Sequence, residues 1–247
     1  MVSRSLPTIH SPRPPPKWGG VNTGKTIPHF AAGGNAWRTE FEIFSLDNVP
    51  VPFRMEVFDS NGQHQQLELF DLAGRSQGVT AVWTGTAEVG TLRLQTATAG
   101  PIRQGYIVFD SPDFSDLAVN AVITNIVGNV PQFRTSVPAL GRFQDHIRLA
   151  FSNARGFFSG IAYKSDWTQT LTIIARRSDG SEICSKTKQI KDEHYEAFLL
   201  RDEMPCTDGQ EGLLELISSS LGVVAIGLNF DSSLRMWTSL PYEVCCF

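Results

Sequence analysis

The 247-residue chain has no apolar run near the ~20 residues that a membrane-spanning helix needs, so membrane insertion is not expected. It also lacks a basic excess: 21 Lys and Arg stand against 25 Asp and Glu, a formal charge of −4. Nucleic-acid binders usually carry a basic face and a high pI, so nucleic acid is not an expected partner. Cysteine is scarce, with Cys184, Cys206, Cys245 and Cys246 alone, and none makes the Cys-x-x-Cys spacing of a zinc knuckle. No Gly-x-Ser-x-Gly nucleophile elbow occurs, and Ser159-Gly160 lacks the Gly it would need upstream. The five histidines (His10, His29, His64, His146 and His194) include no His-x-His or His-Glu-x-x-His spacing. Sustained helical periodicity is missing too. Gln189 to Leu200 is the best helix candidate, and its second half matches a strand once the two halves of the chain are compared.

What is present points to a packed β protein. Hydrophobic residues make up 41% and charged residues 19%, enough apolar surface for a core and too little charge for disorder. Residues 1–27 read as a linker or tail. Pro14-Pro15-Pro16 favours an extended polyproline path and Gly19-Gly20 breaks regular structure. Met1 to Lys17 contain no apolar h-region, so no ordinary signal peptide is expected there. From Ile27 onward apolar and polar residues alternate in short runs. Phe41 and Ile43, then Val51, Phe53, Met55 and Val57, place every second side chain on one face, the pattern of a half-buried antiparallel strand.

The runs recur in order. Trp37-x-Thr39-x-Phe41-x-Ile43 aligns with Phe157-x-Ser159-x-Ile161-x-Tyr163, and Asp59-Ser60-Asn61-Gly62 with Arg177-Ser178-Asp179-Gly180. Leu117 to Val122 aligns with Leu221 to Ile226, which puts Asn125 on Asn229, and Thr135-Ser136-Val137-Pro138 aligns with Thr238-Ser239-Leu240-Pro241. Alternation alone is cheap, but four ordered blocks imply an internal duplication. The fold expected is all-β: two tandem antiparallel β-sandwich domains, Ig-like or jelly-roll, at residues 28–140 and 145–241, with a tail at 242–247. Each unit is large enough for its own core, so the pair is expected to sit as beads on a short string.

The stretch Ile27-Pro28-His29-Phe30-Ala31-Ala32-Gly33-Gly34, followed by Trp37 and Thr39, resembles the opening of uncharacterised tandem all-β repeats. Such repeats occur in large secreted or surface proteins of soil bacteria, beside Ig-like modules. Phe158 to Ala162, Ser178-Asp179-Gly180, Val223 to Leu228 and Thr238 to Pro241 resemble the partner repeat. The resemblance implies an extracellular or cell-surface location and a binding or scaffolding role, and it carries no catalytic residue.

Candidate chemistry is sparse. Glu40 and Glu42 lie two apart on one strand face, as a glycosidase pair could, but Phe41 and Ile43 define the buried face, which leaves both acids solvated. Asp110, Asp113 and Asp116 could hold a calcium ion, which takes six to eight oxygens; the plain alternative is a polar connection between strands, and no other cofactor is expected. Cys184 and Cys206 fall in one unit and could bridge, with free thiols as the alternative. His29 reads as a loop histidine with a backbone partner. The strongest ligand candidates are Trp167 and Trp83, which have no aromatic counterpart in the other unit. Trp167 aligns with the turn residue Asp47, and Asp166, Thr168 and Gln169 beside it could supply hydrogen bonds to a sugar.

The expected function is a non-catalytic extracellular binding or adhesion module for carbohydrate or a protein surface. The rivals are a polysaccharide hydrolase or lyase on a jelly roll, and a structural subunit that polymerises through sheet edges.

Overall fold

The computed structural model describes residues 24–46, 49–88, 90–112, 117–141, 144–231, 237–239 and 242–244. The first half of the chain runs through β1 (Lys25–Ala32), β2 (Trp37–Ser45), β3 (Val51–Asp59), β4 (Leu67–Asp71), β5 (Ser76–Thr80) and β6 (Val82–Ala87). It continues with β7 (Thr91–Thr96), β8 (Arg103–Asp110), β9 (Leu117–Val127), β10 (Val130–Pro138) and β11 (Leu140–Gly141). The second half holds β12 (His146–Ser152), β13 (Phe157–Ser165), β14 (Gln169–Arg176), β15 (Glu182–Ile190) and β16 (His194–Leu199). A single helical turn α1 (Leu200–Glu203) and a 3-10 turn (Pro205–Thr207) follow. The chain then forms β17 (Glu211–Ser218), β18 (Val223–Asp231), β19 (Trp237–Ser239) and β20 (Tyr242–Val244).

The fold is all-β, with four antiparallel sheets in two sandwiches. Sheet one has the order β11-β1-β8-β3-β6 and sheet two β10-β9-β2-β7-β4-β5; both come from the first half. Sheet three has the order β15-β14-β17-β12-β20 and sheet four β16-β13-β18-β19. The second half repeats the strand order of the first, apart from the β4–β5 hairpin, which enters between β3 and β6 and extends sheet two.

Individual rungs coincide as well. Thr39 pairs with Ile123, which pairs with Thr135; Ser159 pairs with Asn229, which pairs with Thr238. Thr39 Oγ1 donates to the Ala31 carbonyl at 2.7 Å and accepts from its N–H at 3.2 Å. Ser159 Oγ does the same to Ser152, at 3.2 and 2.9 Å. The alignment of Thr39 with Ser159 therefore holds in space. The Leu117 block does not: Leu117 pairs with Ser45 and Val223 with Ser165, so Leu117 falls on Val223 and Asn229 on Ile123. A slip of two residues keeps every side chain on its face, which is why pattern alone does not detect it.

Alternation places the cores. In β3, Val51, Phe53, Met55 and Val57 are buried and the residues between them are not. Phe53 and Phe41 both meet Phe109 at angled ring contacts, with centroids 6.1 and 6.4 Å apart. Burying one such side chain contributes roughly 1.5–3 kcal/mol.

Four of the described strands break the alternation over a long stretch. Ile27 to Ala32 of β1, Tyr106 to Phe109 of β8, Phe158 to Ser165 of β13 and Val223 to Leu228 of β18 are buried on both faces. A strand apolar on both faces needs a cover on each. The cover is the other half of the molecule: sheet one packs on sheet four, and Phe158, Ala162, Tyr195, Ile226, Leu228 and Phe230 join the core of the first half. The halves are thus four stacked layers with a shared core, not beads on a string. The boundaries move outward too. β1 starts at Lys25, and β20 adds an edge strand to β12 within the expected tail.

Candidate functional site

Trp167 is exposed at 53% on the turn after β13, and Leu221 beside it at 48%. The indole lies against Gly222, where an added Cβ would come within 2.7 Å of its Cδ1; Gly222 also has φ +107, which disfavours other residues. Below the ring the turn is bolted down. Ser165 Oγ donates to the Trp167 carbonyl at 2.9 Å and accepts from Gln169 Nε2 at 2.8 Å. Gln169 Oε1 accepts from the N–H and hydroxyl of Ser220, and the Asp166 N–H donates to the Gly222 carbonyl at 2.9 Å.

Asp166 and Gln169 are therefore not open to a ligand. Both are buried, at 4% and 5%, and both spend their polar atoms inward. The side chains exposed around the indole are Thr168, Ser219, Ser220 and Leu221. Asp166 also pairs with Lys164, a lysine 1% exposed that reaches Glu193 at 2.9 Å and sits 5.4 Å over the Tyr106 ring. Nothing in the sequence flags Lys164, since alternation places it next to Tyr163 on the opposite face of the strand, and only the stacking of sheet one covers that face.

Trp83 is placed differently. It is half-buried, packs on Phe53 with ring centroids 5.4 Å apart, and covers Gly85. Asp110 ends β8 half-buried, while Asp113 and Asp116 lie outside the described residues. Among the described residues no group of three His, Cys, Asp or Glu could hold a metal ion. Asp47 also lies outside the described residues, and its neighbours Leu46 and Val49 are exposed. Cys184 of β15 and Cys206 of the 3-10 turn form a disulfide with Cα atoms 6.5 Å apart.

The Glu40–Glu42 pair faces outward, and arginines partner it. Arg38 and Arg134 both reach Glu40 at 2.9 Å, and Arg93 reaches Glu42 at 3.1 Å. A second ionic group lies between β15, β16 and α1. Tyr163 donates to Glu196 at 2.5 Å, and Lys188 bridges Glu196 at 2.7 Å and Glu203 at 3.1 Å. Burial pushes the Glu196 carboxyl up, but the hydrogen bonds from Lys188 and Tyr163 outweigh it and hold the group below the usual carboxylate range.

His29 lies within β1 rather than in a loop, and its partner is a side chain. It is buried at the junction, with Nδ1 2.7 Å from the Tyr195 hydroxyl and the two rings nearly parallel. Burial pushes its pKa down to about 4, so the imidazole is neutral at pH 7. Tyr195 in turn stacks on Tyr106, and Tyr106 on Phe58, in a ring column that crosses from one half to the other.

No protein-family model, no curated protein and no solved structure matches the chain.

Proposed function

We propose that the protein is a non-catalytic, extracellular binding module whose contact face is Trp167 with Leu221. The observation that carries this reading is an exposed indole on a turn that the inward bonds of Ser165, Asp166 and Gln169 hold in place. A large ring on a rigid support loses little freedom on binding, which is what a recognition site needs. Hydroxyls of Thr168, Ser219 and Ser220 at the rim suit a sugar face, where apolar C–H contact with the indole is bordered by hydrogen bonds. Carbohydrate is therefore the proposed ligand. The bridge between Cys184 and Cys206 supports an oxidising compartment, in line with the resemblance to secreted bacterial repeats. The matching strand order and rungs support descent of the two halves from one unit.

The test is a glycan-array screen of the intact chain and of Trp167→Ala, with light scattering in parallel. The expected result is a glycan signal that the variant loses. No glycan signal, together with self-association that Trp167→Ala abolishes, would instead make this face a protein contact.

A further inference from the structure

A concave site that Trp167 does not line lies at the junction of the two halves. It measures about 250 Å³. Its floor is made of small residues: Gly160 and Ala162 of β13, and Ala197, which pairs with Ala162 across β16. Phe230 forms one wall. Its ring lies so close over Gly160 that an added Cβ there would meet Cε2 at 2.7 Å, and it is stacked on Phe158 at 5.2 Å. The space exists because the strands facing sheet one carry Gly and Ala where larger residues would fill it.

The first half contributes two polar groups to this apolar cleft, His29 and Gln104. His29 is 8% exposed, and Tyr195 holds its Nδ1. Its Nε2 has no hydrogen-bond partner among the described residues, yet is not fully enclosed. A ring nine-tenths buried, with its second nitrogen left without a protein partner, favours a polar group that meets that nitrogen. Among the described residues, no Asp, Glu, Lys or Arg lines the cleft.

We infer that this cleft binds a compact, neutral, mainly apolar ligand with one hydroxyl or carbonyl oxygen, which bonds His29 Nε2 while the apolar body rests on Ala162, Ala197 and Leu228. The Tyr195 hydroxyl fixes the imidazole ring, so Nε2 is aimed before the ligand arrives. Burial keeps the imidazole uncharged at neutral pH, and the lining offers no counter-ion. An ionised ligand would lose its hydration and meet no opposite charge among the described lining residues.

Phenol, benzene and benzoate test the chemistry at nearly constant size. Each is titrated into the intact chain while the His29 imidazole is followed by NMR. Phenol should saturate, shift the His29 resonances, and bind at least about tenfold tighter than benzoate, which must give up a charged group's hydration. Benzene, which cannot reach Nε2 with a hydrogen bond, should bind more weakly than phenol. Ala197→Phe, at an exposed position of β16, should fill the cleft and abolish the phenol response at an unchanged melting temperature. The milder Ala197→Leu should weaken it and serves if the Phe variant does not fold. The proposal is overturned by benzoate binding as well as phenol, by no saturable phenol response at His29, or by a response that survives in folded cleft-filling variants. None of these readings touches Trp167, so the glycan face stands or falls separately.

Discussion

His29 Nδ1 and the Tyr195 hydroxyl, 166 positions apart in sequence, share a 2.7 Å hydrogen bond that joins the first half of the chain to the second. It lies beside the stacked rings of Tyr195, Tyr106 and Phe58, and Tyr106 makes a second crossing bond, donating to Glu193 at 3.3 Å.

The burial of His29 at this junction makes stability depend on pH. Burial lowers the His29 pKa from 6.5 to about 4. Between those values the unfolded chain binds a proton that the folded chain does not, so folding is opposed as pH falls. The contribution of neutral His29 is fully present above pH 6.5 and is lost toward pH 4, on the order of 3 kcal/mol. Urea unfolding at a series of pH values should show this slope, and His29→Gln should flatten it. An identical slope in the variant would place the effect elsewhere.

The shared core predicts cooperativity. Phe158, Ala162, Ile226 and Phe230 belong to the same cluster as Phe30 and Tyr106, so unfolding of either half exposes apolar surface of the other. Scanning calorimetry should give one transition. The Cys184–Cys206 bridge closes a loop with a sequence separation of 22 and should contribute about 3 kcal/mol. Its loss in a Cys184→Ser, Cys206→Ser double variant should lower that single transition. Two resolved transitions, only one of them shifted, would mean that the halves unfold independently.

The two tryptophans should separate cleanly. Trp167→Ala removes an exposed ring and should change stability by no more than about 0.5 kcal/mol. Trp83→Ala uncovers Phe53 and opens space over Gly85, and should cost about 2 kcal/mol. Chemical denaturation of both variants compares them directly, and the reverse ranking would exchange their roles.

Lys164 is the buried charge most sensitive to change. Lys164→Ala leaves Asp166, 4% exposed, without its cation, and should cost roughly 3–5 kcal/mol. Removing both charges in a Lys164→Met, Asp166→Asn variant should restore most of that loss. A double variant as unstable as the single one would show that packing around Lys164, rather than the ion pair, carries the effect.

The matched bonds of Thr39 and Ser159 test the repeat. Thr39 and Ser159 each tie a hydroxyl to both backbone groups of one residue in the facing sheet. Thr39→Val and Ser159→Ala should each cost about 1–3 kcal/mol by leaving buried peptide groups unpaired, and the two losses should be of similar size. A large loss at one site and none at the other would mean that the matching bonds do unequal work.

Alternation along Phe41 to Ile43 and Val51 to Val57, and the turns at Asp59–Gly62 and Arg177–Gly180, were enough to determine strands, inward faces and the parallel order of the two halves. Those properties depend on neighbours two to four residues apart, and side-chain period and turn geometry are written locally. Tertiary structure alone decided the rest. It covered the second faces of β1, β8, β13 and β18, buried Lys164, turned Asp166 and Gln169 inward beneath Trp167, and set His29 against Tyr195. A run such as Ile27 to Ala32, apolar except for His29, says that both faces need cover but not what covers them. That choice belongs to contacts between residues more than a hundred positions apart, where shape and the need to pair every buried polar group select the partner.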